Sequence, residues 1–193
     1  MTTRIVIHPY DPAWPAAFAA IAAPLHAALG ARALRLDHIG STAVPGLPAK
    51  DIVDVQISVA ALDAPAISAA LAPLGYVLLP GIRADHVPPG ADPDPAQWAK
   101  LYYRPPAELR PMHLHVRAAG RANQRYALLF RDYLRADPAA AGAYAQIKIA
   151  LARLHPDDVE AYYDVKDPVC DLIMAAAARW AAATGWAPGP SDV

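Results

Sequence analysis

The stretch that most constrains the fold of this chain is Asp51–Val59, DIVDVQISV, which reads as a β-strand lying between turn-rich segments. From Val53 onward its residues alternate. Val53, Val55, Ile57 and Val59 fall on one side, and Asp54, Gln56 and Ser58 fall on the other. A strand of this kind needs a packed layer over its apolar side. It leaves a carboxylate and an amide together on its polar side. Asp51 stands three residues from Asp54, so the same alternation assigns it to the opposite side.

The neighbouring patterns supply the layers. Thr3–His8 reads as a short strand or extended lead-in, and Ala33–Ile39 as a strand. Pro12–Leu29 carries Trp14, Phe18, Ile21, Leu25 and Leu29 on one helical face, and Gly30 ends it. Ala64–Leu74 reads as a helix closed by Gly75, and Tyr76–Leu79 as a short strand. Pro80–Gln97 is rich in proline and reads as a long loop, a candidate lid. Lys100–Arg104 and Met112–Arg117 read as two further strands. The second puts His113, His115 and Arg117 on one side and Met112, Leu114 and Val116 on the other. Beyond Arg121 the period becomes helical, over Asn123–Ala136, Pro138–Leu154 and Pro156–Thr184. The expected organisation is one domain over residues 1–193. It has an α/β (α+β) core of mixed sheet and flanking helices to about residue 120, then a C-terminal helical segment over 121–185.

Composition limits the class of function. A chain of 193 residues that is 55% hydrophobic and 18% charged has the composition of a globular protein. Its net charge of -1 and scattered basic residues give no footprint for nucleic acid. No run of about 20 consecutive apolar residues appears, so no membrane association is expected. The start of the chain lacks the apolar stretch of a secretory leader. A single cysteine, Cys170, excludes an internal disulfide framework and reads as a small core residue. The expected location is the cytoplasm.

Three groups of residues carry chemistry. Gly40-Ser41-Thr42 forms a turn whose glycine lets a backbone approach a ligand and whose amides and hydroxyls suit an anion. By itself such a turn is also an ordinary chain reversal. Twelve residues separate Ser41 from Asp54, whose neighbour on the same side is Gln56. Strand carboxylates placed behind such a turn hold a divalent metal against phosphates. At Gln56 the amide brings an oxygen without charge. His113-x-His115 places two imidazoles on one side, as metal ligands, as a proton acceptor or as plain surface residues. They fall beside Asp54 if their strand is the neighbour of Asp51–Val59. The helices repeat one spacing, Tyr144 with Lys148 and Tyr162 with Lys166. Residues four apart share a helix face, so each pair aims a phenol and an ammonium at an anionic substrate, or else packs its ring beneath the lysine stem. Arg131 is a further candidate for a phosphate, or for a structural ion pair.

Taken in order along the chain, these segments resemble the GrpB family, small proteins of the nucleotidyltransferase superfamily. The resemblance runs from Val6 to about Trp180. It passes through His38-Ile39-Gly40-Ser41-Thr42-Ala43-Val44-Pro45-Gly46-Leu47, Ala49-Lys50, Ile52-Val53-Asp54 and His113-Leu114-His115-Val116. It continues through Phe130-Arg131-Asp132-Tyr133-Leu134 and the two Tyr/Lys pairs. The same module is known fused behind dephospho-CoA kinase in some bacteria. The resemblance implies a nucleotidyltransferase-like mixed sheet with C-terminal helices. It implies a site at Gly40, Ser41, Asp54 and the His113–Val116 strand. The residues themselves make Asp54, His113 and His115 the candidate catalytic centre, with metal expected at Asp54, Gln56 and His115. Phosphate binding falls to Gly40, Ser41, Thr42, Lys50, Arg131, Lys148 and Lys166, and the substrate pocket adds His38, Gln56, Tyr144 and Tyr162. The cofactor expected from these residues is Mg²⁺ or Mn²⁺ with ATP or another NTP, and the expected partner is a small molecule. Two positions depart from the family pattern. Asp51 stands where proline is usual, and Gln56 stands where the superfamily has its second acid.

Three functions fit these residues. One is metal-dependent nucleotidyl or phosphoryl transfer to a small acceptor. The second is a non-catalytic module that binds a nucleotide or CoA precursor. The third is an adenylate-forming, ligase-like enzyme of a specialised pathway.

Overall fold

The computed structural model describes residues 4–193. Its centre is a five-stranded mixed sheet in the order β1-β2-β5-β4-β3. The strands are β1 (Arg35–Ile39), β2 (Val53–Val59), β3 (Val77–Leu78), β4 (Lys100–Arg104) and β5 (Met112–Ala118). β2 runs antiparallel to β1 and parallel to β5. β4 is antiparallel to both β5 and β3. This is the mixed α/β sheet that the alternating pattern implies.

The register decides the function of the sheet. Asp54 pairs with His113, Gln56 with His115 and Ser58 with Arg117. Because pleat alternation is shared across paired strands, all six lie on one side. On the neighbouring strands, Ile39, Asp37 and Arg35 pair with the same three β2 residues, while Tyr102 and Lys100 pair with His115 and Arg117. The opposite side carries Val53, Val55, Ile57, Leu114 and Val116, all fully buried.

Two helical layers cover these unlike faces. The apolar face packs against α1 (Trp14–Leu29) and α2 (Ala64–Leu71). Along α1, Trp14, Phe18, Ile21, Ala22, Leu25 and Leu29 form the buried stripe. The segment Trp14–Arg32 is long and apolar enough to cross a membrane by composition, but this stripe is used as the core of the domain. Each such side chain contributes roughly 1.5–3 kcal/mol when fully buried. The polar face is covered by α3 (Ala122–Ala136), α4 (Pro138–Leu154) and α5 (Val159–Thr184). These helices hold a second core of their own around Leu129, Phe130, Tyr133, Tyr144 and Ala177. Asp137 caps α4 through the amides of Ala139 and Ala140, and Asp158 caps α5 through Ala161.

Several element ends differ from the sequence expectation. Thr3 of the expected lead-in strand lies outside the described residues. The rest of that segment makes only an isolated bridge, His8 with Ala49. β1 starts at Arg35 and β2 at Val53, because the chain before β2 folds back locally, with the Ile52 amide bonded to the Lys50 carbonyl. α2 stops at Leu71 and tightens into a 3₁₀ turn over Ala72–Leu74 before Gly75, whose φ of 81° takes the left-handed cap. α5 starts at Val159, since the Pro156 carbonyl is taken by the Ile5 amide and Asp158 supplies the cap.

The long loop after Pro80 is tied to the sheet more closely than a free lid. The Arg83 carbonyl accepts from the Lys100 amide, and the Asp85 amide donates to the Trp98 carbonyl. Asp85 thereby enters the polar face. The loop also crosses to α5, where His86 Nε2 lies 3.0 Å from Asp171 Oδ2.

Candidate functional site

A cavity of about 350 Å³ opens between the polar face of the sheet and the three C-terminal helices. Its floor is the contact between the β1 turn and β2. Gly40 follows Ile39, which pairs with Asp54. Gly40 adopts φ 72° and ψ −171°, a conformation essentially restricted to glycine. A Cβ on residue 40 would collide with the Asp54 carboxylate and lie 2.9 Å from its Cγ. Glycine is therefore required twice, by the backbone and by the carboxylate beside it.

The Asp54 carboxylate is held by a histidine. Oδ1 of Asp54 lies 2.8 Å from Nδ1 of His113. A carboxylate only accepts, so Nδ1 carries a proton, and in the neutral ring the lone pair is on Nε2. Burial opposes the charge on Asp54. The hydrogen bond from His113 and the nearby Lys50 outweigh it and hold the carboxyl below its usual range.

His115 has the reverse arrangement. Its Nδ1 faces Nη2 of Arg117 at 3.3 Å and Nζ of Lys100 at 3.5 Å. Both neighbours donate, so Nδ1 accepts and the ring proton sits on Nε2. Burial, then Arg117 and Lys100, push its pKa well below the usual histidine value. His115 is thus a neutral imidazole.

Behind these side chains lies a network that sequence patterns did not expose. Asp85 accepts from Arg117 Nε at 2.7 Å, from Lys100 Nζ at 2.6 Å and from Asn123 Nδ2 at 3.0 Å. Burial opposes its charge, but Arg117 and Lys100 keep it ionised. Arg117 also donates 2.6 Å to Oε1 of Gln56, whose Nε2 donates to the Gln124 carbonyl at 3.2 Å. The side chain of Gln56 is fully buried and committed to these partners. It does not border the cavity, so the structure does not bring this expected ligand to Asp54.

The cation cradle comes from the helices and the β2 lead-in. Lys148 Nζ donates 2.9 Å to Ser41 Oγ and 2.6 Å to the Pro48 carbonyl, and sits 4.6 Å from the Tyr144 ring centre. Burial, reinforced by the nearby Lys166, lowers its pKa to about 7. Lys50 donates 2.7 Å to the Tyr163 hydroxyl. Lys166 donates to Asp167 at 3.2 Å and to Cys170 Sγ at 3.6 Å. Burial opposes its charge, but its surroundings, Tyr144 foremost, raise its pKa above the usual lysine value. Tyr144 and Tyr162 line the same space, as does Cys170, a half-buried wall residue rather than a core one.

Two expected members serve the scaffold instead. Arg131 is buried and donates 3.0 Å to the His38 carbonyl and 2.8 Å to Asp192. Another of its nitrogens bonds Asp132 at 2.7 Å. It ties β1 to α3 and the C-terminal tail, and does not border the cavity. His38 stacks on Phe18 at 4.9 Å with Nε2 3.0 Å from Thr42 Oγ1. Burial lowers its pKa to about 4. It braces the turn from behind. Asp51 lies outside the polar face, as the alternation requires, and bonds Trp14 Nε1 at 2.8 Å and Arg110.

One donor atom each from Asp54, His113 and His115 lies within 4.8 Å of the others. A histidine that ligates metal normally gives its second ring proton to an acceptor. His115 has only donors at Nδ1, so its Nε2 is protonated and unavailable. Asp54 and His113 alone do not make a protein-held metal centre. The Asp54 carboxylate does suit a hard dication whose remaining ligands are phosphate oxygens and water, the usual form of Mg²⁺ in nucleotide sites.

The GrpB protein family model matches residues 4–176. The chain belongs to the GrpB family. It is similar to the crystal structure of the conserved protein GrpB from Enterococcus faecalis, with a TM-score of 0.73 and 29% identity, covering 90% of this chain and 98% of that one. UPF0157 protein PA4798 of Pseudomonas aeruginosa is 40% identical over 176 residues, 90% of this chain and 68% of that protein. A dephospho-CoA kinase of Mycolicibacterium paratuberculosis is 40% identical over 193 residues, 93% of this chain but 47% of that protein. The chain therefore spans about half the length of the dephospho-CoA kinases it matches.

Two outcomes test this GrpB-family site. Gly40→Ala forces a side chain into a glycine-only backbone region, costing about 1–3 kcal/mol, and displaces the Asp54 carboxylate. Urea denaturation should show the loss of stability, and the His113 ring resonances should shift. The second outcome concerns Lys148. Between its folded value of about 7 and its ordinary value of 10.5, the unfolded chain binds a proton that the folded chain does not. The contribution of Lys148 to stability therefore rises with pH across that window. The difference between wild type and Lys148→Met should grow more favourable to wild type from pH 7 to 10 in denaturant titrations.

Proposed function

We propose that this GrpB domain is a nucleotide-dependent transferase that moves a nucleotidyl or phosphoryl group from ATP or another NTP to a small acceptor. The observation that carries the reading is the union of the Asp54 carboxylate, the Gly40–Ser41 turn and three lysines around one cavity. A triphosphate needs concentrated positive charge in a partly dry site, and Lys50 and Lys166 supply it, joined by Lys148 once the phosphate anion favours its protonated form. Protonated Lys148 links the phosphate-binding turn to the helices through Ser41. A divalent cation carried by the nucleotide would meet Asp54 as its protein oxygen and would help neutralise the phosphates.

His113 is the base in this reading. Asp54 fixes its tautomer and steadies the imidazolium that forms. The acceptor's nucleophilic oxygen gives its proton to Nε2 of His113 as its bond to phosphorus forms. The phosphorus–oxygen bond to the leaving pyrophosphate, or to ADP in phosphoryl transfer, breaks and takes the electron pair. His115, neutral and with Nε2 protonated, donates a hydrogen bond to a phosphate or leaving-group oxygen. The dephospho-CoA kinase name of several relatives makes a CoA precursor a candidate ligand or acceptor.

A second reading has its own support. Gln56 is neutral and is held by Arg117, so the position of the superfamily's second acid is closed to metal. A domain that binds the same ligands without turnover follows from that loss.

The test is incubation with each NTP, Mg²⁺ or Mn²⁺, and a panel of small acids, amines and phosphates that includes dephospho-CoA, following release of pyrophosphate and phosphate. Transferase function predicts release that falls by about 10²-fold or more in His113→Gln. Nucleotide binding without release by any combination would select the binding module, and neither binding nor release would overturn both readings.

A further inference from the structure

A second cavity lies on the far side of His113, at the outer edge of the sheet. Its volume is about 620 Å³. It sits below the loop Pro105–Pro111 that joins β4 to β5. Gly75 allows that loop to close in: a Cβ on residue 75 would lie 3.1 Å from Pro106. Ile52 and His113 border both this cavity and the lysine-lined one, so they form the wall between the two.

The chemistry of the second cavity is consistent along its length. Its charged side chains are Arg104 and Arg110, and no carboxylate borders it among the described residues. Arg110 is oriented by its ion pair with Asp51, which is itself fixed by Trp14. Arg104 is exposed, and its side chain has no hydrogen-bond or ion-pair partner among the described residues. The remaining wall is apolar, with Val77, Leu109, Met112 and three prolines. Two guanidinium groups over an apolar trough suit a small molecule with an apolar body and a phosphate or carboxylate at one end.

We propose that this second cavity is the acceptor site, and that it takes a small organic anion held by Arg104 and Arg110. This assignment rests on the transferase reading of the first cavity. A transferase needs donor and acceptor to approach the base from different directions. With the donor phosphates on the lysine side, an acceptor on the arginine side meets them at His113. The wall position of His113 then has a purpose that its hydrogen bond to Asp54 does not by itself supply. The anionic end of the acceptor is a recognition handle, distinct from the nucleophile that His113 deprotonates.

Calorimetric titration with phenyl phosphate tests the site, using the full chain alone and the full chain saturated with a non-hydrolysable ATP analogue. Phenyl phosphate should bind both forms, and Arg104→Ala should weaken it about tenfold or more while leaving the affinity for the analogue unchanged. Arg110→Lys should give a smaller loss, because one charge remains without its planar pair of donors. Benzoate, titrated in the same way, distinguishes a carboxylate handle from a phosphate one. Failure of both anions to bind, displacement of bound phenyl phosphate by the analogue, or affinity unchanged in Arg104→Ala would overturn the acceptor assignment. Failure of the analogue alone, with phenyl phosphate still sensitive to Arg104, would instead remove the donor reading of the first cavity.

Discussion

The site depends on one steric fact: residue 40 has no side chain. Ile39 pairs with Asp54 across β1 and β2, so the next residue of β1 lies against the Asp54 carboxylate. Glycine at that point lets the turn over Ser41–Ala43 fold directly above the charge. Ser41 then reaches Lys148 of α4, and α4 is thereby tied to the sheet. Any side chain at position 40 would separate the turn, the carboxylate and the helical layer at once. The asymmetric faces of β2 follow from the same arrangement. Its valines and isoleucine close one core under α1 and α2, while on the polar side Asp54 is left to line the cavity and Gln56 and Ser58 are buried against Gln124 of α3.

The electrostatics divide into an inner structural group and an outer working group. Arg117, Asp85, Lys100 and Gln56 pair with one another at the base of the cavity, with Asn123 Nδ2 donating to Asp85, and such pairing is what lets charged groups be buried. Their cost to the site is that Gln56 is immobilised and His115 is held neutral. Their benefit is a fixed donor at His115 beside a free acceptor at His113. Two histidines two residues apart on one strand therefore have opposite hydrogen-bonding roles. The difference arises from the strand on each side: β2 offers a carboxylate to one, and β4 with Arg117 offers cations to the other.

Much of this was legible in the sequence because it is periodic or local. Alternation in Val53–Val59 and in Met112–Arg117 was enough to put Asp54 and His113 on the polar sides of their strands, and the parallel register then made them neighbours. The i, i+4 pairs placed Lys148 and Lys166 on the cavity side of α4 and α5. What was not legible is non-local. Nothing near Arg131 in sequence reveals that Asp192 and the His38 carbonyl will occupy it. Nothing near Gln56 reveals Arg117, since that partner arrives only when β5 adds to β2. Asp85 is not legible for a related reason. It lies in a proline-rich loop without periodicity, and its role is created by backbone pairing to Trp98 and Lys100.

In the proposed transferase a nucleotide would bring the metal, and the protein would supply one carboxylate and the cations around the phosphates. Calorimetric titration with Mg²⁺ alone, ATP alone and Mg²⁺ with ATP tests it most directly. The account predicts no measurable binding of Mg²⁺ alone, binding of ATP alone through the lysines, and tighter binding of the two together that is lost in Asp54→Ala. Tight binding of Mg²⁺ without nucleotide, or no binding of ATP under any condition, would contradict it.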